Sequence, residues 1–246
     1  MIRIIRSFLC AFCFAVFGVG ALGLGGIIFP ILLLIYRSPA KQRAILSQCV
    51  HISWRFFVWL MSSMRLISVR GDIKELKSVR GRIIVANHPS LIDVVILIAY
   101  IPHSVCVVKR SLFHNPFVKK VIQRIYLSND MDVDDFVAHA TEFLKSGYNI
   151  IIFPEGTRTV PGRKVHLHRG FAYLHLASTA PILPIHIENA PRILGKHQPW
   201  YDIGSRISVY TLTLKDEIIY KISPNQTRRD AAISITQLTL GAIFES

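Results

Sequence analysis

His88 and Asp93 stand five residues apart in the run Asn87-His88-Pro89-Ser90-Leu91-Ile92-Asp93, where a short apolar stretch gives way to a helical pattern. An imidazole held at one nitrogen by a carboxylate keeps its other nitrogen free to take a proton, so the pair suits general-base chemistry on a hydroxyl. His88 precedes a proline, which disfavours helical geometry and places it in a loop. Pro89 is favourable in a first helical turn. Helical side chains lean toward the N-terminus, so Asp93 can point back at that loop. A second reading of Asp93 stands beside the first: Ser90-x-x-Asp93 is an acceptable capping box, in which the carboxylate only closes the first turn.

A second cluster, Phe153-Pro154-Glu155-Gly156-Thr157-Arg158, ends another apolar run. Gly156 permits close backbone approach, Arg158 can grip a phosphate through two N–H groups, and Thr157 can add a hydroxyl contact. Glu155 repels phosphate and has three open roles. It can pair with Arg158, bind another hydroxyl of an acceptor, or shape the turn.

These clusters need elements to hold them, and from about residue 80 short apolar runs alternate with longer helical patterns. The expected strands are 82–86, 104–108, 149–153, 182–187 and 206–214. The expected helices are 90–101, 116–126, 134–145, 171–177 and 228–244. Such alternation predicts an α/β fold with a mixed, largely parallel sheet flanked by helices. The domain division expected is 1–70 for membrane-anchoring and interfacial helices and 71–246 for the α/β domain.

The front of the chain has a different character. The 246 residues carry a net charge of +14, and no acid occurs before Asp72, so the first 71 residues hold +8 of it. With 51% hydrophobic residues and a mean hydropathy of +0.41, the chain is more apolar than an ordinary soluble domain. Basic, apolar, acid-free sequence suits an anionic membrane surface. The basic residues are interleaved with apolar runs and no zinc-finger or RNA-binding signature accompanies them, so no nucleic-acid partner is expected. Phe8 to Tyr36 is an uncharged run of 29 residues. As a helix it would span about 43 Å, against about 30 Å of hydrocarbon, so it must tilt, bend or re-enter. Its glycines and Pro30 offer places to bend. Arg37 onward stays basic with no clear cleavage site, which favours a retained anchor over a signal peptide. Trp54, Phe57, Val58, Met61 and Met64 recur at helical spacing, fitting either an interfacial helix or a core helix of the α/β domain.

Other patterns carry less. Cys10-x-x-Cys13 has no second pair and lies in apolar sequence, so free buried thiols are expected. The glycine pattern from Gly18 to Gly23 lacks a βαβ setting. Asp130-x-Asp132-x-Asp134 lacks the glycine and closing glutamate of a calcium loop and reads as the acidic start of a helix. His166-x-His168 has no carboxylate or cysteine to complete a metal set and, among basic residues, suits an anionic substrate. No metal site is expected. Thr227-x-x-Asp230 reads as the cap of the last helix.

Taken together, the two clusters resemble the glycerolipid acyltransferase family that includes the 1-acylglycerol-3-phosphate O-acyltransferases and other lysophospholipid acyltransferases. The family's Asn-His-x-x-x-x-Asp motif is matched by Asn87, His88 and Asp93, and its third motif by Phe153 through Arg158. Its weaker second and fourth motifs look like Lys109-Arg110-Ser111-Leu112-Phe113 with Pro116, and Pro181-Ile182-Leu183-Pro184-Ile185. The four occur in family order over roughly residues 80–190. The resemblance implies that His88, oriented by Asp93, is a general base. An acceptor hydroxyl then attacks a thioester of acyl-CoA or acyl-carrier protein directly, with no cofactor beyond that co-substrate. It implies Lys109, Arg110 and Arg158 at the acceptor phosphate, and a second-motif lysine or amides near Gly156 at the oxyanion. The implied acceptor is a lysophospholipid, foremost 1-acylglycerol-3-phosphate; another lysophospholipid, an ornithine-type lipid or a glycolipid are alternatives, as is a non-catalytic membrane adaptor. Cytosolic donors imply a site facing the cytoplasm from the inner, cytoplasmic membrane.

Overall fold

The structure, a computed structural model, describes residues 1–108, 125–128, 131–162 and 165–244. Seven strands form one sheet: β1 (Ile67–Gly71), β2 (Ile83–Ala86), β3 (Ser104–Val108), β4 (Tyr126–Ser128), β5 (Asn149–Ile152), β6 (Ile182–Ala190) and β7 (Ser208–Leu214). They lie in the order β1-β7-β6-β2-β5-β3-β4. All neighbours run parallel except β6 and β7. The expected mixed, largely parallel sheet is therefore the sheet observed.

Its centre is β2 and β5, whose residues are all buried. Continuous apolar, β-branched runs of this kind belong where helices cover both faces of a sheet. Side chains alternate across the sheet: Ile84, Ala86, Cys106 and Ile151 enter one core, and Ile83, Val85, Val105, Ile150 and Ile152 the other. The first core is closed by α1 (Ile2–Gly23), α3 (Pro39–Ser63) and α5 (Asp93–Tyr100). The second is closed by α6 (Val133–Lys145), α7 (Gly170–Ser178) and α8 (Arg228–Phe244). Among the described residues the remaining helices are α2 (Phe29–Ile35) and the single turn α4 (Ile73–Leu76). Asp132 caps α6 by accepting from the amides of Asp134 and Asp135, and Thr227 and Asp230 bond reciprocally at the start of α8. Asp132 and the Thr227–Asp230 pair thus serve helix starts, and Asp130 lies outside the described residues.

Two strands lie where none was expected. β1 pairs with β7, Ile67 opposite Ser208, and runs through the boundary drawn after residue 70. β4 takes Tyr126, expected at the end of a helix; residues 116–124 of that expected helix fall outside the described residues. α5 begins at Asp93 rather than Ser90, because Ser90 and Pro89 belong to the loop that serves the site.

The N-terminal segment is helical throughout. α1 passes through a π-helical stretch, Leu24–Ile28, into α2, and α3 returns. Ile2–Ile35 and Pro39–Ser63 are each long and apolar enough to cross a membrane. The stripe of Phe57, Val58 and Met61 faces inward and is buried in the first core, with Trp54 and Met64 packed against it. The core-helix alternative therefore describes that stripe, and the apolar residues α3 shows outward are Ile52, Phe56 and Trp59. Near its start α1 is tied to the sheet. Arg6, almost fully buried, donates to the carbonyls of Arg65, Leu66, Gly204 and Arg206.

Candidate active site

Because β2 and β5 are parallel neighbours, with Val85 opposite Ile152, the residues after each strand emerge side by side at one edge of the sheet. That edge, beyond the C-terminal ends of parallel strands, is where α/β sheets place their ligands. Both motif clusters meet there.

Asn87 extends the sheet by one step with its side chain. Its Nδ2 donates to the Ile187 carbonyl at 2.8 Å and its Oδ1 accepts from the Ile187 amide at 2.6 Å. Only a side chain with a donor and an acceptor in one plane closes both bonds. The chain then turns, and His88 lies in the loop as expected. Its Nδ1 faces Asp93 Oδ2 at 2.8 Å, and its ring stacks on Phe153 with centroids 4.3 Å apart. The imidazole plane is thereby fixed from two sides. Nδ1 donates to the carboxylate, which leaves Nε2 with its lone pair. The His88 side chain is 20% exposed while Asp93 is 0% exposed, so the free nitrogen is the accessible end of the pair.

Asp93 takes more than the imidazole. The same Oδ2 accepts from the Ser90 amide at 2.6 Å, and Oδ1 accepts from the Ser90 hydroxyl. The cap and the dyad are one arrangement, in which the turn that closes α5 also holds the carboxylate against His88. Burial pushes the Asp93 carboxyl up from its ordinary range, and the bonds from His88 and Ser90 oppose that rise.

Glu155 shapes the turn in this structure. Its Oε1 accepts from the His88 amide at 3.1 Å and from the Thr159 hydroxyl at 2.5 Å. Thr159 also binds His88 directly: its amide donates to the His88 carbonyl at 2.7 Å and its Oγ1 accepts from the His88 amide at 3.0 Å. Glu155 therefore stitches the two loops together and does not pair with Arg158. Gly156 has φ +64°, and a Cβ there would stand 3.2 Å from the His168 ring, so the close approach expected of glycine is made to that histidine. The Gly156 amide donates to the Phe153 carbonyl at 3.1 Å, so that amide is spent on the turn and is not free for an oxyanion. Thr157 is exposed at the loop's tip.

Arg158 turns back into the protein with one nitrogen, Nη1, which donates to the carbonyls of Leu194 and Gly195 at 3.0 and 2.8 Å. Its Nη2 and Nε have no hydrogen-bond partner among the described residues. Lys109 and Arg110 lie outside the described residues.

Two contributors were not expected. Arg192 Nη2 donates to the carbonyls of Pro89 and Thr159 and so joins the loops from behind. The Leu91 amide donates to Leu194 at 2.9 Å. The segment after β6 is thus a brace under both motifs. Its bonds run to backbone carbonyls, which any residue supplies, so no side-chain pattern announced it.

Comparison with known proteins points in one direction. The family model described as Acyltransferase matches residues 69–188, a span that contains both loops. Residues 69–188 are thus similar to that family. A 1-acyl-sn-glycerol-3-phosphate acyltransferase of Cocos nucifera is 27% identical over 172 residues, covering 67% of this chain and 52% of that protein. One of the same name from Pseudomonas aeruginosa is 26% identical over 139 residues, covering 53% of each. The chain spans about half the length of these curated relatives. The crystal structure of the 1-acyl-sn-glycerophosphate (LPA) acyltransferase PlsC from Thermotoga maritima matches with a TM-score of 0.69 at 18% identity. It covers 100% of this chain and 98% of that one, a likeness of fold. The matched span runs from β1 into β6, so Arg6, Arg192 and β7 support it from outside.

Proposed function

We propose that the protein transfers a fatty acyl group from acyl-CoA or acyl-carrier protein to the free hydroxyl of 1-acylglycerol-3-phosphate, giving phosphatidic acid. The observation that carries this reading is the open Nε2 of an imidazole whose Nδ1 is held at 2.8 Å by a fully buried carboxylate. Nε2 takes the hydroxyl proton as the oxygen attacks the thioester carbonyl carbon. The tetrahedral oxyanion collapses, the C–S bond breaks, and the departing sulfur takes the proton back from the imidazolium. The step uses no metal and no cofactor beyond the acyl donor. Arg158, whose Nη2 and Nε have no hydrogen-bond partner among the described residues, is the proposed phosphate contact, together with Lys109 and Arg110; Thr157 adds a hydroxyl.

The names carried by the relatives support this acceptor class. The apolar, basic N-terminal helices support attachment to a membrane, where both lipid acceptor and lipid product reside. We place the site on the cytoplasmic side of the inner, cytoplasmic membrane, because CoA and carrier-protein donors are cytosolic.

The test is acyl transfer by the purified, detergent-solubilised protein. Acyl-CoA and acyl-carrier protein are each offered with lysophosphatidic acid, other lysophospholipids and an ornithine-type lipid. Phosphatidic acid formed from lysophosphatidic acid is the expected product. Transfer only to acceptors without a phosphomonoester would overturn the acceptor, and transfer to none would overturn the activity.

A further inference from the structure

We infer that the loop between β6 and β7 carries a second membrane contact: Pro199, Trp200 and Tyr201 sit, beside the first turns of α1, in the headgroup layer of an anionic bilayer. The inference rests on the membrane attachment proposed for the N-terminal helices.

Trp200 and Tyr201 lie far along the chain from that anchor, and they are 46% and 51% exposed. With Pro199 they form one wall of an open groove of about 650 Å³, whose other wall holds Arg3, Ile4 and Phe8 of α1. The loop is fastened in place there. The Cys10 thiol donates to the Trp200 carbonyl at 3.4 Å, and the Trp200 ring meets Phe14 edge-on with centroids 5.5 Å apart. Arg3 donates to Asp202 through Nε and Nη2 at 3.0 and 2.5 Å. The Asp202 amide donates to the Pro199 carbonyl at 3.1 Å and closes a turn around the two aromatic residues. A backbone fixed in this way presents its aromatic rings at little ordering cost.

Continuity, level and charge identify the occupant. Ile4, Phe8, Phe12, Val19 and Leu22 are all exposed and share one face of α1, opposite the buried Arg6, Cys10 and Cys13. The groove opens at the N-terminal end of this stripe, so its surface runs on into the apolar face that suits lipid. Along α1 the loop lies where Arg3 and Arg6 give way to the uncharged run that begins at Phe8. A basic-to-apolar boundary marks the headgroup level, where Trp and Tyr are favoured because each joins an apolar body to a polar edge. The acid among the residues lining the groove, Asp202, is committed to Arg3. Arg65 and Arg206, whose carbonyls accept from Arg6, are exposed, which leaves the surroundings basic and suited to anionic lipid.

The contact bears on the acceptor site. A few residues before Pro199, the Leu194 and Gly195 carbonyls hold Arg158, and the Gly195 amide donates to the Gln198 side chain at 2.8 Å. The segment that meets lipid is thus the one that holds the proposed phosphate contact.

The experiment reads Trp200 emission from the full chain reconstituted in vesicles of phosphatidylcholine and phosphatidylglycerol. In Trp54→Phe/Trp59→Phe, Trp200 is the sole tryptophan. Phosphatidylcholine brominated near the headgroup end of its acyl chains should quench most of the emission, and acrylamide added to the water should quench little. If that variant does not fold, the lipid-quenched emission lost between wild type and Trp200→Phe gives the same quantity. Emission quenched by acrylamide and untouched by brominated lipid would overturn the inference. So would emission untouched by either, with protection from acrylamide that disappears on dilution, since a second copy of the chain would then cover the loop. Flotation with the vesicles separates the two layers. A protein that floats with an unquenched Trp200 removes this loop alone, whereas one that does not float removes the membrane attachment itself.

Discussion

At Arg158 the guanidinium divides its donors between two tasks. Nη1 is fixed by the Leu194 and Gly195 carbonyls, while Nη2 and Nε have no hydrogen-bond partner among the described residues. A lysine keeps the charge but cannot hold two carbonyls and a phosphate from one plane. Arg158→Lys is therefore expected to raise the acceptor KM about tenfold or more with a smaller change in kcat, read from steady-state kinetics against lysophosphatidic acid. Unchanged kinetics would remove Arg158 from the acceptor. At this scale the sequence was most readable where chemistry and spacing coincide. His88 and Asp93 meet because a loop residue before proline and an aspartate in the first helical turn are close by local geometry alone. Glu155 was not readable. Its partners, the His88 amide and the Thr159 hydroxyl, come together only because β2 and β5 are neighbours, and no residue near Glu155 in sequence reveals that.

Among the elements, the strands of the central sheet were legible as short apolar runs, whereas β1 and β4 were not. β1 reads Ile67-Ser68-Val69-Arg70-Gly71, too short and mixed to stand out behind a long apolar helix, and its partner β7 lies far along the chain. Its role is visible in Arg6. That side chain gathers the carbonyls before β1 and β7, namely Arg65, Leu66, Gly204 and Arg206, and so ties α1 to the edge of the sheet. Arg6→Met keeps an apolar stem and removes all these donors. Leaving buried carbonyls unpaired should cost about 2–4 kcal/mol, seen as a melting temperature lowered by several degrees in detergent. A wild-type melting curve would mean that α1 is not held to the sheet by this side chain. The inward stripe of α3 belongs to the same lesson. Helical periodicity shows which residues share a face, and only the packing of α5 and β1 decides that this face turns inward.

For the molecule as a whole, charge and apolar exposure fall on the same side of the chain. Phe8, Val19, Leu22 and Leu34 on the first helices and Trp59 on α3 are well exposed, within a segment free of acids. An apolar surface with basic neighbours suits an anionic bilayer, so the protein should stay in the membrane pellet through carbonate extraction. Release into the supernatant would contradict membrane attachment. Such attachment would bring the edge that carries His88 within reach of lipid acceptors, which turns the question back to the histidine. The most direct measurement is the turnover of lysophosphatidic acid to phosphatidic acid by His88→Ala, beside wild type, with folding checked by thermal melting. His88 lies in a loop and its ring is partly exposed, so the variant should melt near wild type and lose about 10²–10⁴-fold or more in kcat. A folded His88→Ala protein with near-normal turnover would contradict the general-base assignment and the roles built on it.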